Sequence, residues 1–61
     1  MKWEVFNNPG FGYFVARIKY PDEPLHSGNI ERNIERFNDE FYRDQAEALA
    51  LAAAANHEEM A

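Results

Sequence analysis

Ile30-Glu31-Arg32-Asn33-Ile34-Glu35-Arg36-Phe37 supports two opposed readings, and the fold turns on the choice between them. At helical period, Ile30, Ile34, Phe37 and the later Phe41 form one stripe with charges between them. At period two, one face reads Ile30, Arg32, Ile34, Arg36, a mixed pattern for a strand. Periodicity therefore favours a helix. Architecture favours a third strand near 30–36, because two strands alone make a poor platform and a third gives a helix something to cover.

On the N-terminal side the chain is aromatic. Six of its nine aromatics lie in the first twenty residues, and eight of its nine alanines lie in the last sixteen. Residues 2–6 alternate, with Trp3 and Val5 on one face and Glu4 on the other. Asn7-Asn8-Pro9-Gly10-Phe11-Gly12 is turn chemistry, its two glycines supplying the positive φ angles of a tight reversal. Residues 13–20 form the second strand, with Phe14, Ala16, Ile18 and Tyr20 on one face. The expected pairing sets Trp3 and Val5 with the Phe14 face as the buried side, and Glu4 opposite Arg17 as a cross-strand ion pair. Pro21 and Pro24 stop the strand, since neither can donate to a ladder.

On the C-terminal side a helix is expected over about 39–57. Asn38 or Asp39 serves as cap, with Asp44-Gln45-Ala46-Glu47 as a capping box if the start is later. Its core stripe reads Phe41, Ala48, Leu49, Ala52, Ala55, and residues 57–61 are expected to fray. The whole is a single small α+β domain over 1–61: a small antiparallel sheet covered by one C-terminal helix.

Size decides what such a domain must find. A chain of 7.1 kDa removes roughly 6,000 Å² from water on folding, about 3,700 Å² of it apolar, and the apolar part contributes roughly 90 kcal/mol. Ordering 61 residues costs about as much. An isolated monomer is therefore marginal. Cysteine is absent, which closes the disulfide route and most zinc sites, and His26 and His57 have no second ligand at helical spacing. Association with itself or with another protein is the route left open.

Net charge is −5 and sits entirely on the helical half, where Arg43 stands against Asp39, Glu40, Asp44, Glu47, Glu58 and Glu59. An acidic surface repels phosphate backbones and anionic membranes, so nucleic acid is disfavoured as a partner. With no apolar segment of signal-peptide or membrane-spanning length, a cytoplasmic protein without a membrane partner is expected.

Two segments, Pro24-Leu25-His26-Ser27-Gly28-Asn29-Ile30-Glu31 and Phe41-Tyr42 with Ala46-Glu47-Ala48-Leu49-Ala50 leading to Asn56, resemble short uncharacterised proteins of bacteria, their prophages and other mobile elements. The resemblance implies a hairpin, a third strand beginning around Gly28-Asn29-Ile30-Glu31, and one helix. It carries no activity across. Arg32 to Glu40 departs from the pattern by its length and its lack of a glycine turn.

Sites of chemistry are sparse. His26 beside Ser27 lacks an orienting acid, so a loop-closing bond to backbone is the simpler role. The carboxylates Glu31, Glu35, Asp39, Glu40 and Asp44 lack the spacing of a calcium loop and suit helix capping and a solvated surface. Trp3, Phe6, Phe11, Tyr13, Phe14 and Tyr20 beside Arg17 and Lys19 would make a stacking platform for single-stranded nucleic acid, but so small a core needs most of these rings. Phe11, at a turn tip, is the exception and a candidate partner contact. Ala46 to Ala55 is apolar except for Glu47, and such a helix has more than one covered face.

The interaction candidates are thus Phe11, Leu49, Leu51, Ala52 and Ala55, with no catalytic, cofactor or metal residue and no small-molecule substrate. The expected function is a non-enzymatic, self-associating protein-interaction module. The alternative is a small acidic mobile-element inhibitor that binds a host nucleic-acid-processing protein.

Overall fold

The computed structural model describes residues 2–26 and 28–60, Met60 by its backbone alone. The hairpin is set by its turn. Pro9 fixes the first central φ and Gly10 takes φ +93°, as a type II turn requires, while Phe11 N–H donates to Asn8 O at 3.0 Å. That turn joins β1 (Glu4–Asn8) to β2 (Gly12–Ile18) in the register Val5↔Val15, Phe6↔Phe14.

The register corrects the expected faces. Val5 shares its side with Val15 and Tyr13, and Trp3 packs there too; Phe6 lies beside Phe14 on the other side. Glu4 sits opposite Ala16, so the expected Glu4–Arg17 pair does not form. Starting the turn at Asn8 shifts the pairing by one residue, and a one-residue shift exchanges faces.

The ambiguous stretch resolves as both readings in series. Ile30–Asn33 is one helical turn, α1, and Ile34–Arg36 is the third strand, β3, antiparallel to β2 through Ile18↔Ile34 and Ala16↔Arg36. The strand therefore begins after the Gly28–Glu31 segment, at Ile34, whose φ −109°, ψ 133° is extended. Asn33 makes the change of structure stable. Its fully buried amide accepts from Tyr20 N–H at 2.6 Å and donates to Tyr20 O and Glu23 O. It thereby serves the backbone where Pro21 and Pro24 have ended the ladder. Asn33→Ala is expected to cost about 2 kcal/mol, because Tyr20 is half exposed and water replaces part of the loss. Urea denaturation measures it.

After β3 the chain leaves the sheet and returns. Phe37 N–H still bonds Val15 O, residues 38–41 loop out, and Tyr42 rejoins opposite Tyr13 through two 2.7 Å bonds. This excursion accounts for the unexpected length between Arg32 and Glu40. The helix consequently starts later than expected: α2 is Gln45–Met60, capped by Asp44, whose Oδ1 accepts from Ala46 N–H. Residues 39–41 are not helical. Residues 57–60 remain helical rather than fraying, tied down by the contacts of Glu59 described below.

The sheet has the order β1-β2-β3, and α2 lies across β1 and β2 on one face. Between them sits the core: Trp3, Val15, Ala48, Ala52 and Ala55, with Val5, Tyr13, Tyr42 and Leu51 at its margin. Three alanines let the helix approach the sheet closely. The result is a slab of 32 × 29 × 15 Å.

Candidate interaction surface

The two faces of this sheet serve different ends. On the helix side, the polar groups interlock. Asn56 Nδ2 donates to Trp3 O at 3.0 Å and its Oδ1 accepts Trp3 N–H at 2.7 Å, so one side chain stands in for a neighbouring strand just ahead of β1. Trp3 Nε1 donates to Glu59 Oε1, which also accepts from Arg17 Nη1 at 2.9 Å. Arg17 lies 4.5 Å from the Trp3 ring centroid and donates through Nε to Glu35. Phe37 meets the Trp3 ring edge-on at 5.2 Å.

The Arg17 hydrogen bond holds the Glu35 carboxyl below its ordinary 4.5. A depressed acid stabilises the fold above its unfolded value and loses that contribution as pH falls through the folded one. The stability gap between the wild type and Glu35→Gln is therefore expected to be present at pH 6 and to close below about pH 4.5. The gap is small, because Glu35 is 43% exposed and salt screens it. Thermal melts across pH at low and high salt check this.

The opposite face carries the phenylalanines. Phe6 stacks on Phe14 at 5.5 Å, Phe14 meets Phe41 at 5.8 Å, and Phe41 meets Phe11 at 5.4 Å. Four of the five phenylalanines in the chain thus collect on the side that α2 does not cover. Arg36 projects from β3 over two of them, 4.7 Å from the Phe14 centroid and 4.4 Å from that of Phe41. Its Nη2 is held by Glu40 O at 3.0 Å, so the looped-out segment both delivers Phe41 and orients the guanidinium. Beside them a groove of about 540 Å³ is lined by Phe14, Ile30, Ile34, Arg36, Asn8 and Glu31. Ile30 is 40% exposed and Phe11 68%.

The five sequence candidates scatter. Phe11 joins the rim of the aromatic face. Leu49 is half exposed on the outside of α2, next to a smaller groove against Lys2 and Val5. Leu51 packs at the margin of the core, while Ala52 and Ala55 are buried under the chain's own sheet and are corrected from partner contacts to core residues. The expectation that the rings are consumed by the core is likewise corrected for Phe6 and Phe14, which the register turns away from α2, and for Phe41, which the excursion over 38–41 carries to the same side. Their alternation with Val5 and Val15 was visible in the sequence; which set faced the helix was not.

The other candidates have local roles. His26 Nδ1 accepts the Gly28 N–H at 3.0 Å, and Ser27 lies outside the described residues. Glu35 pairs with Arg17 and Asp44 caps α2. Among the described residues no three His, Asp or Glu side chains gather in a metal-binding group, and no helix is long and apolar enough to cross a membrane. No known protein family, curated protein or solved structure matches the chain.

Proposed function

We propose that this chain is a non-enzymatic protein-interaction module that self-associates. The observation that carries the reading is an aromatic sheet face left uncovered on a body with surplus surface. A compact monomer of 7.1 kDa exposes roughly 4,100 Å², whereas this chain exposes 4591 Å². Its radius of gyration of 11.6 Å exceeds the roughly 10.5 Å of a typical domain of its length. The exposed loop over 19–26 and a sheet covered by α2 on one face alone both add to these excesses. Phe6, Phe14 and Phe41 are partly buried against one another and under Arg36, and Phe11 at their rim is exposed; apolar surface gathered in one patch marks an interaction surface rather than ordinary scatter.

Sedimentation equilibrium at micromolar concentration tests this. The expected mass is a multiple of the single chain; a well-folded monomer at every concentration contradicts it. The acidic-inhibitor reading draws on the exposed Asp39, Glu40, Asp44, Glu47 and Glu58. It loses ground because Glu59, one of the six carboxylates of the acidic half, is already engaged by Arg17 within the chain. A pull-down from host lysate separates the two, since charge-led capture fades with salt.

A further inference from the structure

The self-association proposed above leaves open which surface is used. We infer that two copies pair sheet to sheet through the uncovered face, with Phe6, Phe14, Ile34 and Phe41 at the contact and both α2 helices outermost. Area is the first argument. The broad side of the molecule measures 32 × 29 Å overall, room enough for the about 800 Å² that a stable interface takes from each partner. Pairing there gives the sheet a second layer in one step.

Charge is the second argument, and it separates this face from the outer side of α2. Glu47 and Glu58 are exposed on α2, which carries no lysine or arginine. Packing helix against helix would bring like charges together across an axis spacing of about 8–10 Å. Sheets stack about 10 Å apart with each helix a further layer out. The acidic helices are then separated by more than two Debye lengths of ~8 Å and repel little. The open face is also self-complementary, because Arg36 and Glu31 line one groove with opposite signs. A two-fold operation sets Arg36 of one copy against Glu31 of the other. A single arginine facing Glu4 and Glu31 is poor provision for a phosphate backbone, so a second copy suits these rings better than single-stranded nucleic acid.

Because the chain has no cysteine, Arg32→Cys carries one nitroxide on α1 beside the groove and leaves Glu31 in place. Mixed with unmodified ¹⁵N-labelled chain, it is expected to broaden the amides of Phe14, Ile34 and Arg36 several-fold more than those of Leu49 to Ala53. Ile34→Lys is expected to raise the dimer dissociation constant at least about tenfold, while Leu49→Lys leaves it unchanged. A dimer that broadens along α2 and is weakened by Leu49→Lys keeps self-association and overturns this face. A monomeric wild type overturns self-association and this inference with it; shifts at Phe14 and Phe41 on adding a single-stranded oligonucleotide would then assign the rings to nucleic acid.

Discussion

Trp3→Ala is expected to remove about 3–5 kcal/mol of stability, the usual cost of truncating a buried aromatic. In a domain of this size that is most of what exists. Trp3 is 8% exposed and is the largest side chain of the core, where its neighbours are chiefly alanines that cannot close over a void. Its ring also carries Arg17 on one face and the edge of Phe37 on another, and its Nε1–H satisfies Glu59. Losing the ring therefore releases the end of α2 as well as opening a cavity. Circular dichroism under urea is expected to show no cooperative transition for Trp3→Ala. Trp3→Phe keeps the ring but not the N–H, and its expected loss is nearer 1–2 kcal/mol. An unchanged midpoint for Trp3→Ala would mean that the core lies elsewhere.

Gly12→Ala is expected to cost about 3 kcal/mol, although it adds one methyl at a half-exposed position. Gly12 has φ +119°, a conformation costing an L-residue about 1–2 kcal/mol. A Cβ there would also stand 2.6 Å from Tyr42 O, so the returning chain has to withdraw and give up its two bonds to Tyr13. Gly10→Ala supplies the control, because Gly10 has φ +93° and open space around it. The difference between the two variants measures the Tyr13–Tyr42 latch. In Gly12→Ala, amide exchange is expected to accelerate at Tyr13 and Tyr42 ahead of Val15. Equal costs for the two glycines would contradict the latch.

These residues mark where the sequence was legible. Pro9-Gly10 announced the turn, alternation announced both hairpin strands, and the alanine run announced the helix, since each signal is local. The segment 30–37 resisted a single reading because it contains two structures four residues long or fewer, too short for either period to express itself. Asn33 decides the boundary through bonds to Tyr20 and Glu23, partners ten or more residues away. The start of α2 was misplaced because Phe41 continued the helical stripe, whereas its ring belongs to the opposite side of the sheet. The candidate surface was hidden for a related reason. Phe6, Phe14 and Phe41 read as core until the register is known, and the register hangs on whether Glu4 lies opposite Ala16 or Arg17, a difference of one residue in the pairing.

Folding and association are one equilibrium if the aromatic face is completed by another copy, so the thermal midpoint must depend on concentration. Melting the wild type over a roughly hundredfold range of concentration tests this most directly. The midpoint is expected to climb steadily with concentration and to stop doing so in Ile34→Lys. A midpoint that stays put across the whole range, in a chain that melts cooperatively, would show that one copy is sufficient and that the phenylalanines face water unaided.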